Sequence, residues 1–255
     1  MTPSRRQMEI LRVLELQGSC SIQELATRLD VAQETIRRNV RPLAENGHVI
    51  QIRGAVLLPE RMQQPAFHRR MSENREAKRR IARHVAARIS DGDSMILDTG
   101  STTAFIAQEL VARSNLRVIT NSAEIASILA PRNGNLVSMA GGDLRNHDGA
   151  AFGPAALAFI EQFEVHHAIL SIGGFDAEKG LMVFDLCEAE FSRTVIRHAE
   201  HVIMAADHTK FGRRGYVRLF GMEEVDLFVT DASPPSPFRE QLEAAEVDIA
   251  IAGDQ

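Results

Sequence analysis

Apolar residues near the start of the chain recur every three or four positions, which is the spacing of an amphipathic helix. A first helix is predicted over Arg5–Gln17, with Met8, Leu11 and Leu14 along one side. Gly18 is expected to end it, since glycine commonly follows the last residue of a helix.

A second helix is predicted to follow, because Ser21 stands three residues before Glu24. In such a capping box, each side chain satisfies a backbone N–H group of the other residue. Asp30 and Val31 make a tight break, and a third helix is expected to start near Ala32. The apolar stripe of the second helix consists of Ile22, Leu25, Ala26 and Leu29.

The third helix has two chemically different sides, at roughly 100° of rotation per residue. Ile36, Val40 and Leu43 lie on one side, whereas the other carries amide and guanidinium groups. This combination is typical of a helix-turn-helix, whose second helix enters the DNA major groove. An ordinary amphipathic helix pair with a solvated basic face is the alternative. The candidate DNA-binding residues here are Gln33, Glu34, Thr35, Arg37, Arg38 and Arg41.

Residues 48–58 predict two short strands around Gly54, which would form the wing of a winged helix-turn-helix domain over residues 1–58. Gly47 suits the end of the preceding helix. Arg53 is a candidate DNA phosphate contact within the wing. A hairpin that only packs on the helices explains the same pattern.

Residues 59–74 are polar and lose the helical periodicity, so they are predicted to be a linker. A helix is predicted over residues 73–90, with Ile81, Val85 and Ile89 stacked along it. This helix either joins the second domain or mediates contacts between subunits.

From residue 91 onward, short apolar segments alternate with helical ones, within a second domain placed at residues 75–255. Such alternation is typical of an α/β domain with a largely parallel sheet and helices on both faces. Ligands bind such sheets at the carboxyl ends of the strands. Strands are predicted over 94–98, 116–120, 135–140, 167–173, 201–207, 225–231 and 247–252.

Charge is unevenly distributed along the chain, whose net charge is −5. Residues 1–90 contain 17 Lys and Arg against 9 Asp and Glu, and residues 91–255 contain 12 against 25. The basic part therefore coincides with the predicted helix-turn-helix, as a nucleic-acid interface requires.

Targeting and metal signals are missing from the sequence. No apolar run reaches the roughly 18 residues of a membrane span, and the N-terminus lacks the apolar core of a signal peptide. Cys20 and Cys187 are the two cysteines, and their spacing resembles neither a metal site nor a redox site. We therefore expect a cytoplasmic protein without a metal, a cofactor or a membrane partner.

Small and polar residues follow several predicted strands, at the edge where a ligand would bind. The loop 100–103 opens directly into a helix, whose free N–H groups and dipole favour an anion. A strand-to-helix turn capped by Ser and Thr explains the same residues, and the glycines could serve turns with positive φ. The candidate ligand-binding residues in these turns are Asp98, Gly100, Ser101, Thr102, Thr103, Asn121, Gly141, Gly142, Gly173 and Gly174.

Further candidates lie in the second half of this domain. Lys210 follows the strand that ends at Asp207, so its cation could reach the same edge, unless it is a surface-loop lysine. Asp185 and Glu188 could accept hydrogen bonds from sugar or polyol hydroxyls. Favourable interaction with the dipole at a helix N-terminus explains these two carboxylates equally well.

The segments ELATRLDVAQETIRRNV, ILDTGSTT, VITNS, AGGDLR and AADHTKFG resemble the DeoR family of bacterial transcription regulators. The resemblance covers nearly the whole chain and is greatest for the glycerol-3-phosphate repressor branch. It implies a sensor domain similar in fold to ribose-5-phosphate isomerase and coenzyme A transferases, which senses phosphorylated sugars or polyols. The loop 100–103 would then hold the effector phosphate, with Lys210 where the related isomerases keep a site lysine.

Three residues depart from the family pattern. Ala32 replaces a usual capping Ser, which removes a side-chain cap worth about 1 kcal/mol. Asn39 replaces a usual Asp. Pro42 lies inside the expected recognition helix, where it removes a hydrogen bond, so a kink or an early helix end is expected.

These observations support three hypotheses. The first is a regulator, expected to repress a sugar or polyol utilisation operon, that binds double-stranded operator DNA and responds to a phosphorylated sugar or polyol such as glycerol 3-phosphate. It would not be an enzyme, and it would form a homodimer or homotetramer that pairs two modules on half-sites. The alternatives are a sugar-phosphate isomerase with an appended domain, using Lys210 with Asp98 or Asp185, and a metabolite-binding adaptor that contacts protein.

Overall fold

A computed structural model describes residues 4–17, 19–46, 48–52, 55–57 and 67–253. The chain divides into two compact units, Met1–Pro65 and Ala66–Gln255. Each unit has a hydrophobic core of its own.

The first unit combines helices with a small antiparallel sheet of strand order β1-β3-β2. Its elements are α1 (Arg5–Gln17), β1 (Ser19–Cys20), α2 (Ile22–Arg28), α3 (Gln33–Glu45), β2 (Ile50–Ile52) and β3 (Ala55–Leu57). The predicted helix-turn-helix and the two wing strands are therefore confirmed. Strand β1 was not predicted, because two residues are too few to show a period. Gly18, Gly47, Arg53 and Gly54 lie outside the described residues.

The core of this unit uses the predicted side of α3, where Ile36, Val40 and Leu43 are buried. The prediction for α1 is correct in its bounds and in placing Leu11 and Leu14 at the core, but wrong for Met8. Ile10 and Leu14 are fully buried, whereas Met8 is 50% exposed. Met8 lies about 200° around the helix from Ile10, at about 100° per residue, so the two cannot share the core face.

The ends of α2 and α3 follow the sequence closely. The capping box is present, since Ser21 Oγ accepts from the Glu24 N–H at 3.0 Å and the Ser21 N–H donates to Glu24 Oε2 at 2.7 Å. Ala32 is the N-cap of α3 and makes no side-chain cap bond.

An early helix end at Pro42 was wrong, because α3 continues to Glu45. Proline within a helix removes a single backbone hydrogen bond of its own. The last turn is held in place beyond it by Leu43, which is buried in the core. Asn46 also bonds the Pro42 carbonyl, from its backbone N–H at 3.0 Å and from its side chain at 2.7 Å.

The second unit is built on a seven-stranded sheet in which all the paired neighbours are parallel. Each strand was predicted, because apolar runs of this length between helical segments are typical of buried parallel strands. The strands are β4 (Ser94–Leu97), β5 (Arg117–Thr120), β6 (Leu136–Met139), β7 (Val165–Ser171), β10 (Ala199–Ala205), β12 (Leu227–Thr230) and β13 (Asp248–Ile251), in the order β13-β12-β10-β7-β4-β5-β6.

Alternate residues of the strands point to opposite faces of the sheet and belong to two different hydrophobic cores. Each core includes the helices that pack on its face. On one face, Met95 and Leu97 pack with α5 (Arg75–Ala86), α6 (Ser101–Leu110) and α7 (Ala123–Leu129). On the other face, Ile96 packs with α8 (Pro154–Ile160), α9 (Leu186–Ile196) and α10 (Ser236–Ala244). The predicted stack of Ile81, Val85 and Ile89 is confirmed, since all three are buried.

Two parts of this unit differ from the prediction. Helix α4 (Phe67–Ser72) occupies much of the segment predicted to be a linker, because buried Phe67 and Arg70 lie within a mostly polar stretch that shows no periodicity. An antiparallel sheet formed by β8 (Gly174–Asp176), β9 (Gly180–Val183) and β11 (Val217–Arg218) was also missed. Its strands are short, and β9 buries three consecutive residues, which hides the two-residue alternation of a strand.

Candidate functional site

The exposed side of α3 carries the candidate DNA-binding residues. Thr35 is half-buried. The exposed residues, on the side away from the core, are Gln33, Glu34, Arg37, Arg38 and Arg41. A basic side of a helix that is open to solvent has the accessibility that insertion into a major groove requires.

The arginines of this surface make weak contacts within their own helix. Arg37 lies 3.5 Å from Glu34 Oε2 and 3.4 Å from Gln33 Oε1. Arg41 Nε donates to Glu45 Oε1 at 3.0 Å. Exposed pairs of this kind contribute about 0–1 kcal/mol, so either guanidinium can be redirected to a phosphate or a base at little cost.

A candidate ligand crevice lies where the strand order of the large sheet reverses. From β4 the sheet continues through β5 to β6, and from β7 it continues in the other direction through β10 and β12 to β13. Ligands of open α/β sheets bind outside the carboxyl ends of the strands at such a point. Asp98 follows β4, and Ser171 is the last residue of β7.

The turn between β4 and α6 packs closely against β7. A β-carbon on Gly100 would lie 2.2 Å from Ser171 Oγ, so any larger residue here would force the Ser171 side chain to move. Thr103 Oγ1 donates to the carbonyl oxygens of Asp98 and Gly100, at 2.8 and 3.1 Å. The N-cap of α6 makes no side-chain bond to the first turn. The helix N-terminus therefore keeps backbone donors for an anion, while Thr103 itself stabilises the turn.

Asp98 is a buried carboxyl whose Oδ1 has no hydrogen-bond partner among the described residues. Burial raises the pKa of Asp98 well above its usual range, and the nearby Glu188 carboxylate contributes to the rise. The Ser171 backbone N–H and the Arg70 guanidinium act in the opposite direction. A protonated carboxyl can both donate and accept, which suits a ligand hydroxyl.

Lys210 is buried in the turn that follows β10, so it is not a surface-loop lysine. Burial first, and then the nearby cations Arg213, Arg70 and Lys78, lower the pKa of Lys210 to about 7, although Asp207 opposes this. Asp207 is buried as well, and its Oδ1 accepts from the Thr209 N–H at 3.1 Å. The two predicted residues are thus both buried, and the Asp207 carboxylate favours the charged form of Lys210.

Arg145, which the sequence analysis did not single out, holds three carboxylates together. Its guanidinium donates to Asp148 at 2.5 Å, to Glu188 at 2.9 Å and to Asp185 at 3.1 Å. It also stacks on Phe152, 4.5 Å from the ring centroid. Asp185 and Glu188, predicted as ligand acceptors, are therefore paired with Arg145. The motif AGGDLR contains this arginine and was the available signal.

The remaining candidates have mainly structural contacts. Asn121 is buried, accepts from the Thr99 N–H at 2.9 Å and donates to the Ala151 carbonyl at 3.2 Å. Gly141 and Gly142 are exposed after β6, and Gly142 has a φ of +132°. A β-carbon on Gly173 would clash with the Phe184 ring, and a β-carbon on Gly174 would clash with the Arg213 carbonyl.

Arg70 and Lys78 are further buried cations beside this crevice. Burial lowers the pKa of both side chains. Arg70 was missed because it lies in the segment predicted to be a linker, where no local pattern indicates burial. The structure thus brings Asp98, Glu188, Asp207 and Lys210 together around a set of buried charges.

No helix in residues 4–253, apart from the gaps given above, is long and apolar enough to cross a membrane. Within the same ranges, no three His, Cys, Asp or Glu side chains are grouped so that they could hold a metal ion.

An exposed basic recognition helix and a polar crevice at the switch point of an α/β sheet, joined in one chain, define a ligand-responsive DNA-binding regulator. Residues 6–62 match the DeoR-like helix-turn-helix domain, and residues 73–232 match the DeoR C terminal sensor domain. The protein belongs to the DeoR family, and it is a DNA-binding transcription regulator.

Relatives of known name match over nearly the whole chain. The glycerol-3-phosphate regulon repressor of Escherichia coli (strain K12) is 36% identical over 235 residues, which cover 92% of this chain and 93% of the relative. The transcriptional repressor CsqR of the same organism is 32% identical over 251 residues, covering 98% and 96%. The ribose 5-phosphate isomerase A of Methanocaldococcus jannaschii matches 55% of each chain at 17% identity and a TM-score of 0.40, a likeness that says nothing about activity.

Proposed function

We propose that this protein represses an operon for the use of a sugar or polyol, and that a phosphorylated sugar or polyol changes its affinity for operator DNA. The observation that carries the proposal is the crevice at the β4–β7 switch point. It combines an uncapped helix N-terminus, the buried cation Lys210 and the Asp98 Oδ1, which has no hydrogen-bond partner among the described residues. Because the E. coli relative is a glycerol-3-phosphate regulon repressor, glycerol 3-phosphate is the first compound to test.

Each group in the crevice has a proposed role toward such an effector. The N–H groups at the start of α6 bind the phosphate, and Lys210 supplies the opposite charge. Asp98 bonds a hydroxyl of the carbon chain through its free Oδ1. Asp185 and Glu188 are available to further hydroxyls only if their bonds to Arg145 are exchanged.

On the DNA side, we propose that α3 enters the major groove, with Arg37 and Arg38 on base edges or phosphates. Two copies on two half-sites require a homodimer or homotetramer, which light scattering of the protein in solution would distinguish from a monomer. The protein would act in the cytoplasm, where operator DNA is found. If the effector changes the affinity of the protein for operator DNA by a given factor, operator DNA must change the affinity for the effector by the same factor.

A binding experiment tests the effector site. Thermal unfolding is measured with glycerol 3-phosphate and ribose 5-phosphate, and with glycerol and inorganic phosphate as partial ligands. We expect a stabilisation that rises with the concentration of one phosphorylated compound and is lost in Lys210→Met. The matched control is Lys179→Met, which changes an exposed lysine. The proposal fails if no phosphorylated compound stabilises the protein, or if both variants respond like the wild type.

The relatives are named transcriptional repressors and do not favour the isomerase hypothesis, but it can be tested directly. A lysine with a pKa of about 7 beside a buried carboxyl is suited to acid–base chemistry. Turnover of ribose 5-phosphate or glucosamine 6-phosphate that Lys210→Met abolishes would establish this activity.

The third hypothesis, an adaptor that contacts protein, is tested by DNA binding itself. Specific DNA binding that is lost in both Arg37→Ala and Arg38→Ala would argue against it.

A further inference from the structure

Helix α4 and the start of α5 occupy a special place in the chain. They are the first described residues after the boundary between the units, which lies at Pro65 and Ala66. Any signal that travels along the chain from the sensor unit to the recognition helix must therefore pass through them. We call residues 67–78 the coupling segment.

Through Arg70, the coupling segment interacts electrostatically with the carboxylates of the candidate effector site. The Arg70 side chain is 6% exposed, and its guanidinium lies 5.6 Å from the centroid of the Phe67 ring. Burial lowers the pKa of Arg70 most, and the charges of Glu188, Asp148 and Asp98 act in the opposite direction, so Arg70 is within electrostatic range of these carboxylates.

The coupling segment also contacts Asp207, the buried carboxylate that acts electrostatically on Lys210. Asn74 has a left-handed backbone conformation, with φ of 51°, and its side chain donates to Asp207 Oδ1 at 3.2 Å. Lys78 is 2% exposed and close enough to Asp207 for that carboxylate to raise its pKa, although burial lowers it more. The Lys78 ammonium donates to the carbonyl oxygens of Arg70 and Glu73.

These two interactions are connected through the backbone of the segment. Because Lys78 bonds the Arg70 backbone carbonyl, the residue that carries the buried guanidinium is joined directly to a residue within electrostatic range of Asp207. A phosphate beside Lys210 would add negative charge near both cations, since Arg70 and Lys78 each act electrostatically on Lys210. Buried charges respond strongly to such a change, because water does not screen them.

We propose that the coupling segment is the element through which effector occupancy reaches the DNA-binding unit, and that Arg70 is the residue that senses it. This inference rests on the proposed function, because it needs an effector in the crevice. It assigns regulation to a segment that lies outside the phosphate-binding loop and outside the recognition helix.

The test compares two neighbouring arginines of α4. Arg70→Met removes the buried guanidinium, whereas Arg69→Met removes an exposed one that pairs with Glu73 at 2.7 Å. Operator affinity is measured with and without glycerol 3-phosphate, using an operator that the wild-type protein selects from random duplexes, and effector binding is measured separately by calorimetry. We expect a ligand-induced change of at least about fivefold in the wild type and in Arg69→Met.

In Arg70→Met, we expect the ligand still to bind but to change operator affinity by less than twofold. A full response in Arg70→Met, or an equal loss in Arg69→Met, would overturn the assignment of Arg70. If no phosphorylated sugar or polyol binds the wild-type protein, the proposed function fails instead, and the inference fails with it.

Hydrogen exchange of the wild-type protein provides a test that does not depend on the folding of a variant. We expect glycerol 3-phosphate to change exchange in peptides that cover residues 67–78 and in peptides that cover residues 98–103. Peptides from α10, which packs in the other core of the sheet, serve as the internal control. Ligand binding that leaves exchange over residues 67–78 unchanged would refute the coupling segment.

Discussion

Replacing Arg37 by Ala tests whether α3 contacts DNA, because the change removes a guanidinium without touching the core. The Arg37 side chain is 56% exposed, and its contacts are the long ones to Glu34 and Gln33. Such contacts contribute about 0.3–0.5 kcal/mol in a helix, and Ala has the highest helix propensity. The free energy of unfolding should therefore change by less than about 0.5 kcal/mol.

A lost DNA contact is much larger than this effect on stability. A bidentate contact with a base contributes about 1–3 kcal/mol of discrimination, which corresponds to roughly 5- to 150-fold in Kd. A phosphate contact would instead weaken binding to every sequence alike and reduce the salt slope by about one. The same expectation applies to Arg38, which is also exposed.

Fluorescence anisotropy with labelled duplexes measures these quantities at several salt concentrations. Arg239→Ala is the matched control, since Arg239 is also 56% exposed on a helix and pairs with Glu243 at 2.7 Å, but lies in the second unit. We expect the control to bind within twofold of the wild type. Unchanged operator binding in both Arg37→Ala and Arg38→Ala, or an equal loss in Arg239→Ala, would refute the recognition-helix assignment.

Three further predictions follow from the structure. Effector affinity should fall about tenfold between pH 6 and pH 8, because Lys210, with a pKa of about 7, loses its proton in this range. Calorimetry on the wild type and on Lys210→Arg, which stays charged, would show whether the fall depends on this residue. Gly100→Ala should destabilise the protein by about 1–3 kcal/mol through its clash with Ser171 Oγ. The double variant with Ser171→Ala should recover part of that loss in urea unfolding, and full additivity would contradict the clash. Ala32→Ser should stabilise the first unit by about 1 kcal/mol, because Ala32 has the extended backbone of an N-cap but no side-chain cap; an unchanged urea midpoint would contradict this.

Elements with a regular pattern could be predicted from the sequence. Ile36, Val40 and Leu43 recur at helical spacing, and the seven strands of the large sheet are apolar runs between helical segments. Within each of these elements, the spacing of apolar residues along one segment is enough to identify the buried side chains. The parallel sheet and its ligand-binding edge follow from the alternation of the elements.

The charge network around the crevice could not be predicted, because its partners are distant in the sequence. Arg145 binds Asp185 and Glu188, which lie 40 and 43 positions away. Arg70 is buried by the tertiary packing of α4, within a stretch whose polarity indicated a linker. No local pattern distinguishes such an arginine from a solvated one.

The most direct measurement is a titration of the wild-type protein with its selected operator in the presence of increasing glycerol 3-phosphate, at constant salt concentration. If a sugar or polyol phosphate in the β4–β7 crevice controls the recognition helix, operator Kd should change by about 5- to 150-fold and then saturate. The operator should change the Kd of the ligand by the same factor. A phosphorylated ligand that saturates the crevice while operator Kd stays within twofold would contradict the account.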